Sequence, residues 1–314
     1  MKHIRSLDAI QLDRSDLTIG SFDGVHLGHQ QLVRQLVDQA RTAGRPSVVL
    51  TFYPHPSVVL RGRKPAFYIS TPEEKAELLG ELGVDYVITQ TFDLELSRVS
   101  ASDFLDRLQQ SLSICSLWVG EDFALGHNRE GNRMYLEQQA GERGFELHVV
   151  PPVKMQGEVV SSTRVREALR SGSVSQAAAY LGRPFTLPGQ VVHGAARGKK
   201  LGMPTANLQI WDERAYPRHG VYACLARWQG GQASAVTNIG HRPTFEQESG
   251  PPTIEAHLLD YSGELYGQQL TLVFLERLRD ERRFPNPESL MEQIGVDIQR
   301  ARQIIDAWKE QNDA

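Results

Sequence analysis

A glycine- and histidine-rich turn, GSFDGVHLGH at residues 20–29, joins a short apolar segment to an amphipathic one. Residues 16–19 are typical of a buried strand, and from Gln30 onward apolar residues recur at helical spacing. At a strand-to-helix turn the backbone N–H groups and the helix dipole favour an anion. The turn therefore predicts a phosphate site, in which Gly28 allows close approach and His26 and His29 face the same side. The simpler interpretation is a glycine turn with two solvated histidines.

The first half of the chain alternates strand-like and helix-like segments. Its apolar runs of strand length lie about 30 to 40 residues apart, the spacing of βα units. This pattern predicts a Rossmann-like parallel sheet that binds its ligands beyond the carboxyl ends of the strands. The predicted strands are 17–19, 47–52, 86–89, 117–119 and 147–150, and the predicted helices are 30–41, one that begins after Thr71, and 103–112. Segments 20–29, 52–56 and 120–123 all follow strands and are expected at that edge.

The hydrophobic pattern of the sequence changes near residue 182. Short alternating runs separated by turn residues follow, at 189–193, 220–228, 233–239, 253–259 and 269–276, and a helical pattern covers 287–309. Such runs are typical of an antiparallel sheet closed into a small β-barrel. We therefore predict two domains, an α/β domain at 1–182 and a β-barrel domain with a terminal helix at 183–314.

Composition excludes several classes of protein. The chain has 314 residues, of which 40% are hydrophobic and 23% charged, and a net charge of −4, values that are ordinary for a globular protein. It has no long basic run for nucleic acid, no apolar run of membrane-spanning length and no N-terminal signal pattern. Cys115 and Cys224 are expected to be buried thiols. We expect a cytoplasmic protein that binds neither nucleic acid nor membranes; its oligomeric state is left open.

A second anion-binding pattern, SSTRVR, follows the last predicted strand of the first half at residues 161–166. Hydroxyl groups at a helix start, free N–H groups and a guanidinium together favour a phosphate. An ordinary Ser/Thr helix cap is the alternative. Combined with His26 and His29, the pattern predicts that two helix starts hold the triphosphate of ATP. Nucleotidyl transfer at such a site needs positioning and charge neutralisation, with no dedicated acid or base.

The second half carries a different phosphate-type segment at residues 193–208, rich in glycine and lysine. It lacks the spacing of a Walker A loop. Thr205 and Asn207 stand two apart, so in an extended chain they present a hydroxyl and an amide oxygen on one face, suited to a hard cation. A polar strand start after a proline turn is the alternative.

Glu255 lies in a segment, 253–258, that alternates like a strand. A carboxylate on the polar face of a barrel strand can accept a proton from a substrate hydroxyl. A solvated glutamate on an exterior face is the commoner fate of such a residue, and the spacing leaves both open.

Many blocks in order, along essentially the whole chain, resemble the bacterial bifunctional riboflavin kinase/FAD synthetases (FMN adenylyltransferases). They are GSFDGVHLGH (20–29), TFYPHP (51–56), VGEDF (119–123), SSTRVR (161–166), LGRP (181–184), LGMPTANL (201–208), NIGHRPTF (238–245), EAHLLD (255–260) and LYG (265–267). The resemblance implies that the first domain adenylylates FMN to FAD and that the second phosphorylates riboflavin to FMN, both with ATP and Mg²⁺.

The resemblance also implies residue roles. In the first domain it implies that the ATP phosphates are bound by Phe22, Asp23, His26, Gly28, His29, Ser162, Thr163 and Arg166, with His29 and Arg166 catalytic, and that the flavin lies beside His55, Asp122 and Arg129. In the barrel it implies a nucleotide site at Gly194, Gly198, Lys199, Thr205 and Asn207, with Mg²⁺ on Thr205 and Asn207. Glu255 is implied as the catalytic base for the ribityl hydroxyl, with Asn238 and Arg279 near the flavin.

Two other functions are weighed against the bifunctional enzyme. The first is a riboflavin kinase with a weakened adenylyl site, because Leu125 and Asn132 replace an aromatic and an acidic residue that are usual there. The second is a flavin-binding protein without turnover. The two predicted phosphate sites and the Glu255 carboxylate argue against the second, because a protein that only binds flavin does not need them.

Overall fold

The computed structural model describes residues 1–62, 66–194, 203–240 and 252–312. The chain divides into two compact units, Met1–Ser162 and Thr163–Ala314. The domain boundary after residue 182 stays a prediction.

The first unit is built on a six-stranded sheet in which every neighbouring pair is parallel. Its strands are β1 (Lys2–Ile4), β2 (Ser15–Ile19), β3 (Ser47–Tyr53), β4 (Tyr86–Thr91), β5 (Ile114–Gly120) and β6 (Glu146–Val150), in the order β1-β4-β3-β2-β5-β6. The predicted Rossmann-like sheet is confirmed. The edge strand β1 was not predicted, because three residues carry no periodic signal.

Helices cover both faces of this sheet. They are α1 (Leu27–Thr42), α2 (Pro56–Arg61), α3 (Pro72–Glu81), α4 (Ala101–Leu112) and α5 (Arg133–Arg143). Side chains of a strand alternate between the faces, so Val48 and Leu50 join the apolar cluster under α4 while Val49 joins the cluster under α1 and α3. A small hairpin, β7 (Lys154–Met155) and β8 (Glu158–Val159), completes the unit.

The strand order places a topological switch at β2. This strand lies between β3 and β5, so the chain leaves β2 toward one side of the sheet and later returns to the other. Ligands of doubly wound sheets bind in the crevice at such a point, beyond the carboxyl ends of the strands. The three polar segments that follow β2, β3 and β5 therefore lie at neighbouring strand ends, as predicted.

The second unit is a closed six-stranded barrel, in which the strand order is β10-β13-β12-β11-β14-β9 and every neighbouring pair is antiparallel. Its elements are α6 (Ser162–Ser171), whose first residue belongs to the first unit, α7 (Val174–Leu181), β9 (Phe185–Val192), β10 (Ala206–Gln209), β11 (Gly220–Trp228), β12 (Gly231–Gly240), β13 (Thr253–Leu258), β14 (Gln269–Arg279) and α8 (Pro287–Asn312). The predicted barrel and terminal helix are confirmed.

The barrel has an inner core and an outer one. Phe185, Tyr222 and Phe274 are fully buried, and the ring of Phe274 contacts the other two inside the barrel. On the outer wall, Ala301 and Ile305 of α8 pack with apolar residues of β11, β12 and β14. The terminal helix thus covers the side of the barrel wall that β11, β12 and β14 form.

The two cysteines differ in exposure. Cys224 on β11 is fully buried, as predicted, and burial raises the pKa of its thiol to about 12. Cys115 on β5 is only half-buried, which corrects the expectation for that residue. Both thiols are free. Within the described ranges, no helix is long and apolar enough to cross a membrane.

Candidate active sites

The two histidines of the first unit lie together at the start of α1. His26 is the N-cap residue, and its Nδ1 accepts a hydrogen bond of 3.4 Å from the backbone N–H of His29. The two imidazole rings stack with their centroids 3.6 Å apart. Because Nδ1 of His26 is an acceptor here, Nε2 carries the proton when the ring is neutral. The histidines therefore flank the positive end of a 16-residue helix.

The turn that carries these histidines has an unusual backbone. Phe22, Gly24 and Val25 have φ angles of 48°, 79° and 43°. For residues with a side chain these angles are unfavourable, so surrounding contacts must hold them. A Cβ at Gly24 would lie 2.7 Å from the side chain of Ile69, which leaves room for glycine only.

Asp23 supplies some of the contacts that hold the turn. Its carboxylate accepts hydrogen bonds from the backbone N–H groups of Ile69 and Ser70, at 3.0 and 3.1 Å. The residue is 3% exposed. Asp23 therefore fixes the shape of the turn at residues 20–29. Phe22, also buried, places its ring edge-on to His29, with centroids 5.0 Å apart.

Gly28 lies in the first turn of α1, close to both the cap and the end of the hairpin. A Cβ at this position would lie 3.2 Å from Cε1 of His26 and 3.7 Å from the carbonyl oxygen of Val160. A side chain would crowd the imidazole. Close approach of a ligand to this helix start stays a prediction.

The second predicted phosphate-binding pattern lies on α6. Ser162, the first residue of the helix, donates a hydrogen bond of 2.8 Å to the carbonyl oxygen of Asp23. This hydrogen bond connects the start of α6 to the turn at residues 20–29, which we call the histidine turn. Thr163 is exposed, and Arg166 is 7% exposed one turn further along α6.

The three residues predicted beside the flavin lie after β3 and β5. Nδ1 of His55 caps α2 by accepting from the backbone N–H of Ser57 at 3.1 Å, and its ring meets Phe67 edge-on. Arg129 donates a 2.6 Å hydrogen bond to the carbonyl oxygen of Asp122, so these two lie together. Both are exposed, and they follow the strand on the other side of β2 from His55.

Two residues that depart from the family pattern have structural roles in the same region. Leu125 is 7% exposed, belongs to the apolar core and pairs as an isolated bridge with Gly131. Asn132 is the N-cap of α5, where its side-chain oxygen accepts from the backbone N–H of Tyr135 at 3.1 Å. Both substitutions are thus accommodated by the fold.

In the second unit, strand register aligns the predicted kinase residues. Glu255 on β13 pairs with Asn207 on β10 on one side and with Asn238 on β12 on the other. Residues directly opposite each other project from the same face of a sheet. Ile254 and Ala256, which flank Glu255, are 1% and 0% exposed and face the barrel interior. The carboxylate and the two amides therefore form a row on the outer wall, where Glu255 is half-buried.

Thr205 immediately precedes β10, two residues from Asn207. Nδ1 of His257, the next outward residue of β13, lies 2.9 Å from the carbonyl oxygen of Pro204 and so connects this segment to β13. On the other side of Asn207, a Cβ at Gly194 would lie 2.2 Å from its Nδ2. Only glycine fits beside this amide. Gly198 and Lys199, also predicted to bind nucleotide, lie outside the described residues.

Arg279 extends the same row along the barrel wall. It pairs with Val221, which pairs with Asn238 on its other side. Its guanidinium forms an ion pair of 2.8 Å with Asp297 of α8, a carboxylate that is about 5% exposed. Asn238 donates a 3.0 Å hydrogen bond to Glu281, just beyond β14. The terminal helix is thus fixed directly beside the row.

The oxygen donors of the second unit fit a magnesium ion bound together with a nucleotide. A hydroxyl and an amide oxygen are hard ligands, and Mg²⁺ usually takes only one or two protein ligands besides phosphates and water. Within the described parts of the chain, no group of three or more His, Cys, Asp and Glu side chains could hold a metal ion. Mg²⁺ binding by Thr205 and Asn207 stays a prediction.

Comparison with known proteins assigns each half of the chain to a family. The FAD synthetase family matches residues 9–164, and the riboflavin kinase family matches residues 181–305. Together with the parallel sheet and the closed barrel, these matches define a two-part transferase.

Curated relatives match nearly end to end. The bifunctional riboflavin kinase/FMN adenylyltransferase of Pseudomonas fluorescens is 39% identical over 91% of both chains, and that of Escherichia coli K12 is 35% identical over 98% of both. The chain belongs to the family of bifunctional riboflavin kinase/FMN adenylyltransferases.

A solved structure has the same fold over nearly its whole length. It is a crystal structure described as a macrolide-efflux protein from Streptococcus pneumoniae, 30% identical, with a TM-score of 0.87 and coverage of 96% of this chain and 98% of that one. The name of that protein refers to transport, whereas both family matches and the curated relatives refer to flavin nucleotide synthesis.

Sequence reasoning missed three residues around these sites. Lys75 on α3 is buried beneath the histidine turn, His257 connects to Pro204, and Glu281 bonds to Asn238. Lysine in an amphipathic helix is normally solvated, so no local signal marked Lys75. His257 shares the polar face of Glu255 in the sequence, which is the one available hint.

Proposed function

We propose that the two reactions of this family are divided between the two units: the first transfers AMP from ATP to FMN, and the second transfers the γ-phosphoryl group of ATP to riboflavin. The observation that supports this division best is the row of Asn207, Glu255 and Asn238, which lies wholly within the barrel. The histidine turn and its supports, Asp23 and Lys75, lie wholly within the first unit.

In the barrel, Glu255 is the general base. Its carboxylate takes the proton of the ribityl hydroxyl as the hydroxyl oxygen attacks the γ-phosphorus, and the bond to ADP breaks. Half-burial on the outer wall keeps the carboxylate accessible to substrate. Asn238 orients the flavin chain from the neighbouring strand, and Arg279 lies near the flavin at the end of the row.

Thr205 and Asn207 would hold the magnesium ion of the nucleotide in the barrel. The ion neutralises phosphate charge when it is bound. Gly194, Gly198 and Lys199 complete the proposed nucleotide site, in which the missing side chain of Gly194 preserves the position of the Asn207 amide.

In the first unit, the problem is to bring two phosphate-bearing molecules together. A phosphate oxygen of FMN attacks the α-phosphorus of ATP, the bond between the α- and β-phosphates breaks, and pyrophosphate leaves. The α1 N-terminus, His26, His29 and Ser162 bind the triphosphate and lower its charge. The same role for Thr163 and Arg166, which follow on α6, stays a prediction from the sequence. His55, Asp122 and Arg129, after the strands on each side of β2, bind the flavin.

The observed roles of Leu125 and Asn132 favour a working adenylyl site over a weakened one. Leu125 fills core space and Asn132 caps a helix. We also propose a cytoplasmic location, which the two free thiols support.

One assay tests the proposal. The protein is incubated with riboflavin, excess ATP and Mg²⁺, and the flavins are separated by chromatography over time. FMN is expected first and FAD after it, with release of ADP and then pyrophosphate. Accumulation of FMN without FAD would support the kinase alone, and tight flavin binding with no ATP consumption would support a carrier.

A further inference from the structure

Lys75 is an unusual residue because lysine is almost never fully buried without a partner. It lies in the first half of α3 and is 6% exposed. The roles proposed so far for the row on the barrel wall and for the two histidines do not explain why this lysine is buried. Its position beneath the adenylyl-transfer turn suggests a role there.

The ammonium group joins three elements at the carboxyl edge of the sheet. Nζ of Lys75 donates hydrogen bonds of 2.8 Å to the carbonyl oxygen of Ser21 and of 2.8 Å to Oγ1 of Thr51, at the end of β3. Thr51 itself donates to the same Ser21 carbonyl at 3.0 Å. The first residues of the histidine turn are therefore attached both to β3 and to α3.

Lys75 and Asp23 hold the turn from opposite directions. Asp23, which belongs to the turn, accepts from the backbone that precedes α3, while Lys75, which belongs to α3, donates to the backbone of the turn. Between these attachments lies Phe22, with its φ of 48°. A backbone in this region persists only where its surroundings fix it.

We propose that Lys75 is a positioning residue for adenylyl transfer, whose buried ammonium group holds the turn from Ser21 to His26 in the conformation that presents the two histidines to the phosphates of ATP. The inference rests on the proposed assignment of His26 and His29 to those phosphates. Lys75 acts through the backbone of the turn and need not touch the substrate.

The charge on this group is lost within an accessible pH range. Burial lowers the pKa of Lys75 to about 8, against an opposing effect of the Asp23 carboxylate. Asp23 on the turn and His3 on β1 interact with it electrostatically. A neutral amine keeps two N–H groups for Ser21 and Thr51, but its hydrogen bonds are weaker than those of an ammonium group. Adenylyl transfer is therefore expected to decline above pH 8.

The test compares kcat/KM for FMN adenylylation between pH 6.5 and 9.5 in the full chain and in the variants Lys75→Arg and Lys75→Met. The wild type is expected to lose about tenfold across this range, the difference between a charge-assisted and a neutral hydrogen bond. Lys75→Arg keeps its charge and is expected to show a flat profile. Lys75→Met is expected to be about tenfold less active at pH 7, also with a flat profile.

Two controls isolate the effect. Lys2→Met removes an exposed lysine at the amino end of β1, the opposite edge of the sheet, and is expected to keep the wild-type profile. Riboflavin phosphorylation is measured in the same samples, because it also depends on the ionisation of ATP and on its binding of Mg²⁺. Thermal unfolding shows whether Lys75→Met is folded, and where it is not, the comparison of wild type with Lys75→Arg still decides.

An alkaline decline that persists in Lys75→Arg, or a wild-type profile as flat as that of the kinase reaction, would overturn the inference. The assignment of the phosphate site fails separately, when His29→Ala retains full adenylylation. Loss of activity in His29→Ala combined with unchanged Lys75 variants would refute the role of Lys75 alone.

Discussion

The ATP sites proposed for the two units of this chain are built from different parts of the polypeptide. In the first unit the site is built largely from main chain: a helix N-terminus, a glycine and a strained turn held by Asp23 and Lys75. In the barrel it is built from side chains that neighbouring strands place in a row. Antiparallel strands have little net dipole, so the barrel wall must supply charge and hydrogen bonds through side chains.

This difference determines how each site responds to mutation. A main-chain site is sensitive to whatever holds its backbone, including residues that never meet the substrate. A side-chain site is sensitive to single functional groups and to anything that moves them. Three further predictions test this contrast, from the largest expected effect to the smallest.

Glu255→Gln is expected to lower the rate of FMN formation about 10³-fold, because the amide cannot accept the hydroxyl proton. The measurement is kcat for riboflavin phosphorylation, with conversion of added FMN to FAD measured in the same sample. Glu264→Gln, at an exposed position of the barrel unit, is the matched control. Phosphorylation at close to the wild-type rate would remove Glu255 as the base, and loss of both activities in a folded protein would contradict independent sites.

His29→Ala is expected to lower FMN adenylylation about 10²-fold, because one donor to the phosphate charge is removed. Riboflavin phosphorylation should continue. His148→Ala is a matched control, since the ring of His148 also stacks on an aromatic ring, that of Trp118, at 4.0 Å. Equal losses in both variants would indicate a general effect of stacking on stability.

Gly194→Ala is expected to weaken the kinase reaction about tenfold, mainly in KM for ATP with Mg²⁺, because the added Cβ would overlap the Asn207 amide and displace it. Gly295→Ala on α8 adds the same methyl group where no atom lies within 4 Å and should leave the kinase unchanged. An unaltered KM in Gly194→Ala would show that the position of Asn207 does not matter for nucleotide binding.

The sequence predicted the architecture because hydrophobic periodicity is a local signal. The parallel sheet, the barrel and the terminal helix all follow from it. The histidine turn was found from its composition, because its glycines and histidines are contiguous in the sequence. Two short strands were not predicted. β1 has three residues and β10 has four, which is too few for a hydrophobic period to be visible.

The row on the barrel wall could not be read from the sequence in the same way. Asn207, Glu255 and Asn238 are brought side by side only by strand register, which long-range pairing fixes. The roles of His26 as a helix cap and of Asp23 as an acceptor for Ile69 and Ser70 also depend on tertiary contacts. The tertiary contacts of an acidic residue decide whether it binds a ligand or stabilises the backbone.

The placement of Glu255 on the outer wall separates chemistry from the packed interior of the barrel. Phe185, Tyr222 and Phe274 fill that interior, and none of them is among the residues proposed to bind substrate. An engineer can therefore redesign the inner aromatic cluster for heat resistance and leave the kinase chemistry in place, provided that strand register is preserved.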